Sequence, residues 1–112
     1  MKHTVSLKSS RIFRWLYRRG KSVVTPYFVV YAQKNKTGRS RLGVSASVKV
    51  GNAVKRNRVR RRLRERYRIH EPELKPGYDI ILVARTRGLF AKFSKLEGLF
   101  LEAAKKLELT RP

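Results

Sequence analysis

Between Met1 and Arg64 the chain carries no Asp or Glu, although 19 of its 29 Lys and Arg residues fall there. Nothing within that segment can neutralise its cations. The last 48 residues hold the remaining 10 basic residues and all 7 acidic ones, so the two parts carry +19 and +3. A body with a net charge of +22 repels itself unless a polyanion screens it. The imbalance between the two parts points to nucleic acid or a charged membrane surface. It argues against a free-standing enzyme acting on a neutral metabolite.

The 112 residues suffice for one modest core, and an apolar share of 41% is enough to fold. The expected organisation is a single domain over residues 1–112. No run of 18 apolar residues exists, so no membrane span is expected. The N-terminal stretch lacks the continuous apolar segment and small-residue cleavage site of a secretory signal. A basic amphipathic targeting helix is the alternative there, but its aromatics have a better use below. Cys is absent and only His3 and His70 are present, which excludes disulfides and the common Cys/His zinc sites. A cytoplasmic setting fits best.

Ser9 or Ser10 can N-cap a helix running to about Arg19, with Gly20 as its stop. Ile12 and Leu16 stand four apart, as do Phe13 and Tyr17, giving a wide apolar and aromatic surface. The stretch VVTPYFVVYAQ is rich in β-branched and aromatic residues, with Pro26 marking an edge, a strand start or a bulge. RLGVSASV alternates, placing Leu42, Val44, Ala46 and Val48 on one face and Gly43, Ser45 and Ser47 on the other. These two segments read as an antiparallel hairpin. Asn52 is a natural N-cap for a helix from Ala53 to about His70. YDIILVAR reads as a strand buried on both faces, and apolar residues at 93, 96, 100, 103 and 107 read as a core-facing helix. The order α-β-β-β-α-β-α, with the first β stretch split around Pro26, predicts an α+β fold of the two-layer α/β sandwich type.

The segment GNAVKRNRVRRRLRERYR is the most informative. At about 100° per residue, Val59, Leu63, Tyr67 and His70 fall together and face the sheet. Arg56, Asn57, Arg60, Arg61, Arg64 and Arg68 span an adjacent arc of roughly 140°, with Arg58 and Arg62 on the far side beside Glu65. A solvated basic face is the plain reading of such a run. Against it, the helix holds a single acid, so no i,i+4 pairing relieves the repulsion. Arg also dominates Lys, and its planar fork suits phosphates and base stacking. A second candidate surface is aromatic: Phe13, Tyr17 and Tyr31 either line a cleft that stacks single-stranded RNA or serve as core filler. Trp15 and Tyr27 are read as packing residues.

A catalytic set is missing. There is no Ser/His/Asp set in plausible order and no Cys nucleophile, and Glu71 with Glu73 is too weak a carboxylate pair for metal binding or acid–base work. His70 reads as a structural residue.

With these residues in view, the chain resembles the protein subunit of bacterial ribonuclease P. The resemblance covers LKSSRIFRWLYRRGKS, PYFVVYA, RLGVSASVKVGNAVKRNRVRRRLRE and GYDIILVAR, and its centre is the Arg56-Asn57-Arg58 core of the family's signature. It implies an α/β sandwich of the ribosomal protein S5 domain 2-like class, with a left-handed β-α-β crossover around the Arg-rich helix. It implies a protein that assists a catalytic RNA in removing the 5′ leader from precursor tRNA. The partners are then ribonuclease P RNA and precursor tRNA, with no membrane and no obligate protein partner. No cofactor is held by a protein motif; magnesium is expected with the RNA subunit. Carried over by position, Arg56, Asn57, Arg60, Arg61 and Arg64 would meet RNA, and Asn52, Lys55, Arg58 and Arg68 complete the RNA-binding helix surface. Phe13, Tyr17, Tyr31 and Lys49 would form the leader-binding cleft. Val48 stands where the family more often has Lys, which removes one charge from that edge. A structural RNA-binding protein such as a ribosomal protein is the alternative, followed by a DNA-binding architectural protein. A self-contained nuclease is the least supported.

Overall fold

A computed structural model describes residues 3–112. The elements run β1 (Thr4–Ser6), α1 (Ser10–Arg19), β2 (Lys21–Val24), β3 (Phe28–Lys34), β4 (Ser40–Ala46), α2 (Ala53–His70), β5 (Tyr78–Ala84) and α3 (Phe93–Lys106). Short 3-10 turns occupy Val48–Val50, Glu71–Glu73 and Thr86–Leu89. The expected order is present, preceded by β1, a three-residue strand that the sequence pattern did not reveal.

The strands form one mixed sheet in the order β1-β4-β5-β3-β2. The expected hairpin between the Pro26 stretch and RLGVSASV is not formed. β5 inserts between β3 and β4, antiparallel to the first and parallel to the second. The hairpin instead joins β2 to β3. Its turn is closed by Thr25, whose hydroxyl accepts from the backbone N–H of Phe28 (3.0 Å) and donates to the Phe28 carbonyl (2.7 Å). β5 takes the centre because consecutive residues pointing to opposite faces, Ile80, Ile81 and Leu82, are all fully buried.

Alternation along β5 divides the core. Ile80, Leu82 and Ala84 meet Phe28, Val30, Leu42, and the inner faces of α2 (Val59, Leu63, Tyr67) and α3 (Leu96, Phe100, Ala103). Ile81 faces the other way, onto Leu7 and Leu16 with Ile12, Phe13, Tyr31 and Val83. The sheet with α2 and α3 thus makes the two-layer sandwich, and α1 lies across the opposite face. α2 links the parallel neighbours β4 and β5, the unit to which the expected crossover refers. Val48 departs from its expected place on the inner face of the strand: β4 ends at Ala46 and Val48, on the following turn, is 78% exposed.

Caps fall where the sequence put them. The Ser9 side chain accepts from Ile12 N–H, and Asn52 from Lys55 N–H. Gly51, at φ 143°, makes the reversal that aims Asn52 at the start of α2.

Several polar groups are paired across elements. Arg41 donates from Nε and Nη2 to the two oxygens of Asp79, both at 2.7 Å, across the β4–β5 pair. Thr4 on β1 bonds the Tyr67 hydroxyl (2.9 Å) and donates to Glu71. His70 places Nδ1 2.5 Å from Glu73 and Nε2 2.7 Å from Glu97, so both ring nitrogens face carboxylates. Only the imidazolium donates from both nitrogens. Burial opposes that charge, but the bonds to Glu73 and Glu97 outweigh it and hold the His70 pKa above its ordinary 6.5. The clamp's contribution to stability is therefore full below the unfolded-state value and fades as pH rises through the folded one. His70→Gln is expected to lower the unfolding midpoint more at about pH 5.5 than at about pH 9, as read by thermal melts. An equal deficit at both would mean that the imidazolium contributes nothing.

Candidate nucleic-acid interface

The basic surface is built on α2. Its core stripe places Val59, Leu63 and Tyr67 in full burial, which fixes the helix's rotation and hence which arginines face solvent. Arg60 donates to Asn57 Oδ1 (2.7 Å), holding two of the expected RNA-binding residues side by side. Arg56 reaches back to the Gly51 carbonyl, and the oxygen of Asn52 is engaged in capping. Among the described residues, Lys55, Arg58, Arg61 and Arg64 have exposed side chains with no ion pair or hydrogen bond. Arg68 differs: it is paired with Glu65 at 2.5 Å, and that bond raises its own pKa and lowers the Glu65 one. The single acid on the helix thus relieves one arginine of the arc through an i,i+3 contact.

Arg62 and Arg66 do other work. Both guanidinium carbons lie 4.5 Å from the centroid of the Phe93 ring, and Arg62 also donates to the Ala91 carbonyl. Burial, then the charges of Arg66 and Arg58, push the Arg62 pKa down. These two arginines bolt α2 to the start of α3, a pairing that no local sequence signal discloses. Arg41 is likewise structural, tied to Asp79. The total of 29 cations therefore divides into a few that hold the fold and a majority left for solvent or a ligand.

The aromatic residues are brought together on the opposite face of the sheet. Phe13 and Tyr17 stand edge to face at 6.3 Å, and Tyr17 meets Tyr31 at 5.0 Å in the same manner. Phe13 and Tyr31 are half-buried against the Leu7, Leu16 and Ile81 cluster and Tyr17 is 42% exposed, so the rings pack on that cluster while keeping part of their surface open. Gly43 makes this possible: a Cβ there would lie 2.4 Å from the tip of the Phe13 ring. Val83, beside Ile81, continues the floor of this groove. Strand alternation would have revealed Gly43 and Val83 as lining residues, but their partners come from α1 and could not be read locally. Trp15 and Tyr27 remain at the surface and half-buried. Lys49 sits on the exposed turn after β4, where the chain passes from the aromatic face to the start of α2. The two surfaces thus lie on opposite faces of one sheet, joined around the end of β4.

Fold and surfaces together define a small α+β protein with a strongly basic surface. The model of the family described as Ribonuclease P matches residues 1–108. The ribonuclease P protein component of Clostridioides difficile (strain 630) is 41% identical over 108 residues, covering 96% of this chain and 95% of that protein. The RNase P protein of Staphylococcus aureus superposes with a TM-score of 0.82 at 32% identity, covering 95% and 97% of the two chains. The RNase P protein of Thermotoga maritima gives 0.76 at 31% identity, covering 87% and 92%. The chain belongs to the ribonuclease P protein family, whose function is that of a protein component of ribonuclease P in tRNA processing.

The groove depends on the absent Gly43 side chain. Gly43→Ala is expected to displace Phe13 and to cost about 1–3 kcal/mol of stability, read by denaturant unfolding. It should also shift the Ile81 methyl resonances; unchanged stability and spectra would show that the rings adapt freely.

Proposed function

We propose that this chain is an accessory subunit whose RNA partner carries the catalytic centre, and that residues 1–112 act as a single RNA-binding domain. Its two surfaces hold different RNA. Lys55, Arg56, Asn57, Arg58, Arg60, Arg61 and Arg64, following Asn52, contact structured RNA through phosphate and shape, with Arg68 available once it leaves Glu65. Phe13, Tyr17 and Tyr31, with Lys49 at the rim, hold the single-stranded leader of precursor tRNA by stacking. The observation that carries this reading is the joint display of an unneutralised arginine arc and a contiguous aromatic groove on opposite faces of one sheet. Such a protein binds two RNA segments at once.

The chemistry is assigned elsewhere because of the state of the carboxylates. Among the described residues no three His, Asp or Glu side chains are grouped to hold a metal ion. Asp79, Glu65, Glu73, Glu97 and Glu102 are each paired with a cationic or imidazole side chain. Magnesium is expected with the RNA subunit. The protein's own part is to position the leader and to lower the repulsion between two RNA backbones. A cytoplasmic setting accords with this role; among the described residues no helix is long and apolar enough to cross a membrane.

Reconstitution tests the proposal. Added to ribonuclease P RNA and precursor tRNA at low magnesium, the chain is expected to raise 5′ cleavage. The Phe13→Ala, Tyr31→Ala double variant should then weaken precursor binding by about 5-fold or more while sparing mature tRNA. No gain in cleavage would favour a structural RNA-binding protein, and equal losses on both ligands would make the rings mere packing.

A further inference from the structure

We propose that Phe90 and Phe93, with the basic stripe of α2 beside them, form a third RNA-contact surface that stacks an unpaired base. The proposal rests on the RNA-binding reading above but does not use the aromatic groove, and it shares only Arg58 with the RNA-binding surface of α2.

Phe90 is 76% exposed, yet it is not on a loose loop. It closes the Thr86–Leu89 turn, where its N–H donates to the Arg87 carbonyl and Leu89 is buried beneath. Gly88 lies so close to the backbone of Tyr27 that a Cβ would meet the Tyr27 carbonyl oxygen at 2.6 Å. Thr86 donates to the Lys49 carbonyl at 3.4 Å, and on the other side of Phe90 the Ala91 carbonyl accepts from Arg62. The ring is thus displayed from a turn anchored before and after it. Three residues on, Phe93 is 51% exposed, with Arg62 and Arg66 against its ring.

The neighbouring stripe of α2 is cationic. Val54, Arg58, Arg62 and Arg66 recur at four-residue spacing and so share one side of the helix. Val54, at 69% exposure, adds apolar surface at its upper end. The buried Nε atoms of Arg62 and Arg66 have no hydrogen-bond partner. The acids nearest along these helices are already taken, Glu65 by Arg68 and Glu97 by His70. An apolar protein partner would have to desolvate these cations without compensating them, which is costly. A second copy of the chain would bring another +22 to the contact. A nucleobase flanked by phosphates satisfies both needs, since the rings and guanidinium planes stack the base and the free charges of Arg58 and Lys92 meet the backbone.

The test uses the full chain with Phe90→Ala, Phe90→Leu and Phe90→Trp, each titrated separately with ribonuclease P RNA and with precursor tRNA at fixed salt. Ala and Leu are expected to bind one of the two RNAs about 5- to 150-fold more weakly, with an unchanged salt slope, and Trp to restore binding. The RNA affected identifies the source of the base. Because Phe90 is exposed, unfolding midpoints should match that of the wild type. Wild-type affinity of Phe90→Ala for both RNAs would overturn the proposal, as would full binding by Phe90→Leu. A wild-type dimer in sedimentation that Phe90→Ala dissolves would also overturn it, by making the patch a self-interface. Arg61→Ala with Arg64→Ala serves as the reference: if that variant loses RNA binding while Phe90→Ala does not, this inference fails and the function stands. If neither loses it, the RNA-binding reading itself falls.

Discussion

Seven carboxylates facing 29 cations is the constraint on which the rest of this structure depends. Charge cannot be balanced by pairing, so it is distributed. Several of the acids are placed where one ion pair joins two elements. Asp79 ties β4 to β5 through Arg41. Glu73 and Glu97 converge on His70 and close the end of α2 against α3. Glu65 sits within α2 and pairs with Arg68. What remains is a helix whose apolar stripe is fully buried while, among the described residues, Arg58, Arg61 and Arg64 have nothing to bind but water or a ligand. Surface pairs of this kind add little stability individually. Their value here is positional, because each fixes one element and leaves the exposed cations of α2 in place.

The central strand carries this charge distribution into function. β5 is buried on both faces, so it supports α2 and α3 on one side and α1 on the other. The arginine helix and the aromatic groove are therefore held at a fixed separation by one rigid strand. Gly43, on the strand next to it, lets Phe13 close upon the sheet, and the Lys49 turn joins the two faces.

Local chemistry made much of this legible in the sequence. The caps Ser9 and Asn52, the stop at Gly20, and the inward stripe Val59, Leu63, Tyr67 depend on neighbours within a turn or two, and each lies where the sequence placed it. Sheet order was not legible. Alternation in RLGVSASV identifies a strand but carries no information about its partner, and the insertion of β5 between β3 and β4 rests on burial at long range. β1, three residues with only Thr4 buried, has no pattern to detect. The packing of Arg62 and Arg66 on Phe93 was hidden for the same reason: β5 separates them in sequence, and a basic run looks uniform until a neighbour selects among its members. The candidate site was readable as residue types; its division into structural and free arginines was not.

If the uncompensated charge is a binding surface, the free protein carries repulsion that a bound polyanion removes. The direct measurement is the thermal unfolding midpoint of the isolated chain, titrated with polyphosphate and, at matched ionic strength, with sodium chloride. Binding to the native state alone raises stability by RT ln(1 + [L]/Kd), about 2.7 kcal/mol at a hundredfold excess over Kd. The midpoint is therefore expected to rise steeply with polyphosphate and far less with chloride. Equal effects of the two salts would mean that the charge is merely screened, and would contradict an anion-binding surface built into the fold.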